Sequence, residues 1–287
     1  MHFPVLLQES LEYLAIRPDG VFLDSTTGLG GHTRAIAEKL TGSGWVLAAD
    51  RDSESLELAR KNAAEFAERI RFVQSSFSEL RQALASAGVE KVDGLLADLG
   101  VSRFQLTEPE RGFSLMSDGP LDMRMNRDQE LTAADIVNHT AEKALADLIY
   151  QLGEERRARR ISRAIVRARP IRSTLHLARV VEEAAPRTGR LHPATQTFMA
   201  LRMAVNDEQD ELDSLLETAP ELVKPGGRIV VITFMSLEDR KVKQKFQALG
   251  REKKALILTK HVVKPSDEEV SENPASRSSK LRALEMK

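Results

Sequence analysis

The feature that most constrains this chain is a rhythm: between residues 20 and 98, short strand-forming runs alternate with longer helical stretches. Val21-Phe22-Leu23-Asp24 precedes a helix beginning after His32. Trp45-Val46-Leu47-Ala48-Ala49-Asp50 precedes a helix led by Asp52 or Ser53 and running to about Phe66. Arg71-Phe72-Val73-Gln74, a helix from Ser78 to Ala87, and Val92-Asp93-Gly94-Leu95-Leu96-Ala97-Asp98 continue the pattern to four strands. Parallel strands need crossovers of helical length, so the alternation calls for a Rossmann-like α/β fold on a mostly parallel sheet.

The rhythm stops over residues 106–205, which read as several helical segments without a core strand. Thr132-Ala133-Ala134-Asp135 has the spacing of a capping box, and Ser173 or Thr174 is placed to cap a later helix. The pattern resumes with a helix through Leu212, Leu215 and Leu216, a turn at Lys224-Pro225-Gly226-Gly227 and the strand Arg228-Ile229-Val230-Val231-Ile232-Thr233-Phe234. The expectation is one discontinuous sheet domain, 1–105 with 206–287, interrupted by a helical domain at 106–205. The Pro-, Ser- and Glu-rich stretch 264–279 reads as a surface loop.

Composition narrows the function classes. The absence of cysteine removes disulfides, thiolate metal sites and cysteine nucleophiles together, and fits a reducing compartment. His2, His32, His139, His176, His192 and His261 are scattered, so no metal is expected. No segment approaches the about 20 apolar residues needed to cross a bilayer, and the start Met1-His2-Phe3-Pro4 has no export signal, so a cytoplasmic protein is expected. With a formal net charge of −1, any nucleic-acid contact must come from local patches.

The sharpest local motif is Asp24-Ser25-Thr26-Thr27-Gly28-Leu29-Gly30-Gly31-His32, where the first strand hands over to the first helix. Glycines at that junction let a ligand approach the backbone. Asp50 ends the next strand, where a carboxylate accepts hydrogen bonds from both hydroxyls of an adenosine ribose. Nicotinamide enzymes share this arrangement, but a dinucleotide fingerprint starting at Gly28 calls for glycine or alanine where Thr33 stands. That favours S-adenosylmethionine, which has no pyrophosphate to cradle. Asp98, Gly100 and Ser102 follow the fourth strand, at the edge where open α/β sheets bind ligands. Asp98 there either accepts a hydrogen bond from substrate or cofactor or caps the following turn. Phe77 either lies on an adenine or belongs to the core.

These motifs, with others along nearly the whole chain, resemble the bacterial ribosomal small-subunit methyltransferase H family, also called MraW. The matching blocks include His2-Phe3-Pro4-Val5-Leu6-Leu7-Gln8-Glu9, Asp50-Arg51-Asp52, Asp98-Leu99-Gly100-Val101-Ser102, Arg111-Gly112-Phe113-Ser114, Gly119-Pro120-Leu121-Asp122-Met123-Arg124-Met125, His192-Pro193-Ala194-Thr195 and Ser236-Leu237-Glu238-Asp239-Arg240. The resemblance implies a class I methyltransferase sheet of seven strands with a helical insertion. It also implies methyl transfer from S-adenosylmethionine to the N4 amine of a decoding-centre cytosine in 16S rRNA of the small ribosomal subunit. The family's cofactor positions fall on Gly30, Gly31, His32, Asp50, Phe77, Asp98 and Gln105. The chain departs from the family at Met235, where histidine is usual, at Ala275-Ser276, where Arg-Ala is usual, and at Arg103-Phe104 before Gln105.

A cytosine amine is a poor nucleophile because its lone pair is delocalised, so positioning should dominate catalysis, with Asp98 as acceptor of an amine proton. Phe104 or Phe113 offers a stacking face for an extruded base. Arg156, Arg160, Arg163 and Arg167 recur at helical spacing opposite Ala158, Ile161, Ile165 and Ala168, a cationic stripe suited to RNA phosphates or to pairing with Glu154 and Glu155. Arg111, Asp122 and Arg124 are placed to form a hinge between insertion and sheet, Arg111 and Arg124 being also substrate-contact candidates, with a buried structural ion pair as the alternative. The oligomeric state stays open, a homodimer included.

Overall fold

The computed structural model describes residues 4–186 and 191–287. His2 and Phe3 of the opening block lie outside the described residues. The chain divides into two compact units, one of residues 1–100 with 209–287 and one of residues 101–208.

The first unit runs α1 (Leu7–Leu14), β1 (Val21–Asp24), α2 (Gly31–Lys39), β2 (Trp45–Asp50), α3 (Ser53–Asn62), β3 (Ile70–Gln74), α4 (Leu80–Ser86) and β4 (Val92–Asp98). The second holds α5 (Arg103–Thr107), α6 (Ala133–His139), α7 (Glu142–Gly153), α8 (Ala158–Ala168), α9 (Thr174–Ala184) and α10 (Thr195–Val205). After α11 (Glu208–Leu222), the sheet is completed by β5 (Val223–Thr233), α12 (Ser236–Arg251), β6 (Ala255–Ile257), α13 (Asp267–Glu272) and β7 (Lys280–Met286).

The seven strands lie in the order β3-β2-β1-β4-β5-β7-β6. The first five are parallel neighbours, and β7 is antiparallel to both β5 and β6. This is the class I, mostly parallel sheet that the resemblance implies. Both faces are covered: Leu23, Leu47, Leu95, Ile229 and Val231 belong to one apolar cluster, Phe22, Val46, Leu96, Val230 and Ile232 to another. That explains why these strands read as continuous apolar runs rather than alternating ones.

Three sequence expectations change in detail. The helix expected to reach Phe66 ends at Asn62, and a 3-10 segment, Ala64–Arg69, follows across a kink. The expected turn at Lys224–Gly227 lies inside β5, where the pairing jumps from Val92↔Val223 to Gly94↔Arg228, so the extra residues bulge out of the ladder. The expected loop 264–279 contains α13, because Ser266 caps it by accepting from the Glu269 amide at 3.1 Å and three acidic residues occupy its first turn.

The second unit has its own core, in which Ile136, Leu145, Ile149, Ile161, Ile165, Leu177, Val181 and Leu201 are buried together. Thr132 and Asp135 form the expected capping box at α6. Ser173, not Thr174, caps α9; the Thr174 hydroxyl donates instead to the Ser117 carbonyl at 2.7 Å. Met123 sits in the left-handed region at φ 60°. Asn206 holds that segment: its side chain donates to the Met123 and Arg202 carbonyls at 2.7 and 2.8 Å and accepts from the Met125 amide at 2.7 Å.

Candidate active site

The carboxyl ends of parallel strands point to one edge, and in the first unit β1, β2 and β4 each deliver an aspartate there. Asp24 is fully buried; its Oδ2 accepts from the Thr33 hydroxyl at 2.6 Å and its Oδ1 from the Thr26 amide at 3.2 Å. Burial outweighs those hydrogen bonds and pushes the Asp24 carboxyl up to about 6. Thr33, the residue that spoils a dinucleotide fingerprint, thus has a structural use: its hydroxyl satisfies the buried acid of β1.

The loop from Ser25 to Gly30 turns over this acid. Gly28 and Gly30 have φ of 51° and 86°, and a Cβ at Gly30 would meet Ala59 of α3 at 3.1 Å. Asp50 pins the loop to β2, accepting from the Gly28 amide at 2.7 Å and from the Asp52 amide at 2.9 Å. Each carboxylate oxygen retains a second lone pair for a ligand hydroxyl. Burial raises the Asp50 carboxyl to about 6.

Asp98 closes the set. Its amide donates to the Thr26 hydroxyl at 2.6 Å, tying β4 to the loop. Its Oδ1 is buried without a hydrogen-bond partner, and its Oδ2 lies 3.8 Å from His32 Nδ1. Desolvation first, then the like charges of Asp24 and Glu238, holds the Asp98 carboxyl well above the usual carboxylate range. His32 is buried on α2, with Nε2 3.0 Å from the Val5 carbonyl. Phe77 follows β3 at the same edge and is half-buried against the core.

Glu238 was not visible as a site residue from the sequence. Its Oε2 accepts from the Phe234 and Met235 amides, both at 3.0 Å, which buries a carboxylate beside Asp98. The signal was a glutamate three residues into the helix after β5, the spacing of a capping residue. Met235 itself is the half-buried N-cap of α12.

In the second unit, Gln105 is buried, and its Oε1 accepts from the Ser102 amide at 2.9 Å in a capping box at α5. Arg111 and Arg124 are turned inward. Arg111 is buried and donates to the Arg124 and Met125 carbonyls at 2.9 and 3.1 Å. Arg124 pairs with both oxygens of Asp122 at 2.8 Å and donates to the Arg127 and Gln129 carbonyls at 2.9 and 2.6 Å. Their guanidinium groups frame the 123–125 segment, the contacts that the structural alternative calls for. Phe113 is likewise in the core of this unit, leaving the half-buried Phe104 as the more accessible of the two candidate stacking faces.

On α8, Ala158, Ile161 and Ile165 are buried and Arg160, Arg163 and Arg167 are exposed; Arg156, expected on the same helical stripe, is exposed in the turn that precedes the helix, because α8 begins only at Ala158. Arg163 pairs with Glu142 at 3.4 Å, whereas Arg156, Arg160 and Arg167 make no ion pair among the described residues. Glu155, one expected partner of the stripe, is buried and held by Arg157 at 3.1 Å.

The sequence profile of the MraW methylase family matches residues 1–287. A protein of Solibacter usitatus named ribosomal RNA small subunit methyltransferase H is 68% identical over 287 residues, covering all of both chains. Proteins of the same name from Koribacter versatilis and Acidobacterium capsulatum are 48% and 49% identical, covering all of this chain and 94% and 98% of their own. A match over the full length, with relatives this similar from end to end, means that the chain belongs to the MraW methylase family.

Proposed function

We propose that this protein transfers a methyl group from S-adenosylmethionine to the N4 amine of a decoding-centre cytosine in 16S rRNA, in the cytoplasm. The observation that carries the reading is the edge of the first unit, where a glycine loop, the ribose-type acceptor Asp50 and Asp98, whose Oδ1 has no hydrogen-bond partner, meet, in a chain whose relatives bear the name of a small-subunit rRNA methyltransferase.

The residues present suit an adenosine-bearing donor. Gly30, Gly31 and His32 would line it with backbone, Asp50 would accept from its ribose hydroxyls, and Phe77 and Asp98 would complete its surroundings on the first unit. S-adenosylmethionine supplies a methyl group made electrophilic by its sulfonium centre. Asp98 would hold the amine by one proton, turning the nitrogen lone pair toward the methyl carbon and withdrawing charge as it develops. The second unit would act as the RNA-recognition domain, with the exposed arginines of α8 on phosphates.

The test is incubation of purified protein with isotope-labelled S-adenosylmethionine and small subunits that lack the modification, followed by nuclease digestion and mass spectrometry. One N4-methylated cytosine at a single position is expected. Label in another base, or none with authentic unmodified subunits, overturns the assignment.

A further inference from the structure

Methylation of an amine nitrogen creates a disposal problem. The new N–C bond forms as the S–C bond breaks, its electron pair remaining on sulfur, and the nitrogen is left with one proton too many. The group placed to take that proton is Asp98, and what stands behind Asp98 is His32.

The tautomer of His32 follows from its neighbour. The Val5 carbonyl is only an acceptor, so the 3.0 Å contact requires the proton on Nε2. In the neutral ring, Nδ1 then carries a lone pair, and it faces Asp98 Oδ2 at 3.8 Å. At that distance the two atoms are in ion-pair range without a hydrogen bond, so a proton taken up by Nδ1 would turn the facing atoms into an imidazolium–carboxylate pair. Among the described residues, the other charged groups facing Asp98 are Asp24 and Glu238, both acids, so neither relieves its charge.

We infer that His32 is a positioning and proton-accepting residue, neutral at rest with Nδ1 toward the Asp98 carboxylate, which relieves Asp98 of the proton released from the methylated amine. In balance, the N–H bond breaks, the proton passes to the Asp98 carboxylate and on to His32 Nδ1, and Nε2–H stays on the Val5 carbonyl. The inference rests on the methyltransferase reading for its chemistry, but the pairing itself does not.

His32→Gln keeps an N–H for the Val5 carbonyl and deletes Nδ1. Expected are donor affinity within about threefold of wild type, kcat lowered by roughly 10- to 100-fold, and the acid limb of the kcat–pH profile displaced upward, because Asp98 now faces only like charges. A lowered kcat with an unmoved limb, or an unchanged kcat, overturns the inference. Independently of methyl transfer, nitrogen NMR of His32 should show the Nε2–H tautomer and a two-step titration that becomes one step in Asp98→Asn. An identical titration in the two proteins overturns the pairing. If wild type methylates no subunit yet the NMR coupling is present, the substrate assignment fails and the pair stands.

Discussion

Replacing Asp98 should make the protein more stable while abolishing its chemistry. The side chain contributes a buried oxygen with no donor and a charge facing Asp24 and Glu238. An unsatisfied buried polar group costs about 1–3 kcal/mol. The side chain is 23% exposed, so solvent screening places the gain from Asp98→Ala in the lower part of that range, ~1–2 kcal/mol. Apart from the 3.8 Å approach of His32, the fold should lose nothing else, since the 2.6 Å bond to Thr26 comes from the backbone amide, which alanine retains. At roughly 2–4 °C per kcal/mol for a chain of about this size, Tm should rise by about 2–8 °C. Asp98→Asn removes the charge but keeps a polar atom in the same place, and should gain less. The sign with pH is fixed: a carboxyl whose folded pKa is raised costs nothing below its unfolded value and its full amount above its folded one. The advantage of alanine is therefore largest at mildly alkaline pH and shrinks on acidification. Calorimetry of the three proteins across pH measures this. A lower Tm for Asp98→Ala at about pH 8, or an advantage that grows toward acid, refutes the assignment of Asp98 as a strained acceptor retained for function.

Three further outcomes are expected. Donor affinity measured by titration calorimetry should weaken as pH falls through about 6, where Asp50 takes up its proton; Asp50→Asn should bind about 10-fold more weakly at neutral pH and lose that dependence, charge-assisted hydrogen bonds being worth about 1.5–3 kcal/mol. Thr33→Val removes the 2.6 Å donor to buried Asp24 and should cost about 1–3 kcal/mol in urea unfolding at neutral pH, with the loss diminishing below about pH 6 as Asp24 is protonated. Alanine at Arg156, Arg160 and Arg167 together should weaken RNA binding and flatten the plot of log affinity against log salt by about 2, if each meets one phosphate of a single strand; an unchanged slope would place the RNA elsewhere.

The sheet was legible because its strands are buried on both faces and its loops carry glycines and acids at fixed places. Asp24, Asp50 and Asp98 could be placed on one edge from strand ends alone. What could not be read was which polar side chains are used up. Arg111 and Arg124 look like exposed cations in sequence, yet both serve carbonyls and an aspartate within the 111–129 segment, a pairing set by the path of a loop with no periodicity. Glu238 was hidden for the converse reason, since its partners are backbone amides that carry no sequence signature. The strands β6 and β7 were implied by resemblance only. β6 has three residues, and β7, Lys280-Leu281-Arg282-Ala283-Leu284-Glu285-Met286, alternates weakly because Arg282 is buried against Asp239.

The seam at Asn206 bears on how this enzyme can change over time. One side-chain amide fastens Met123 and Met125 to the last turn of α10, so the second unit is closed by contacts within itself. Its outward face, the exposed arginines of α8 included, can therefore exchange residues without reopening the packing beneath. Asn206 has no such latitude. Aspartate there would keep the acceptor for Met125 but turn the donor to the Met123 and Arg202 carbonyls into a repelling charge, and the positive φ at Met123 would lose its restraint.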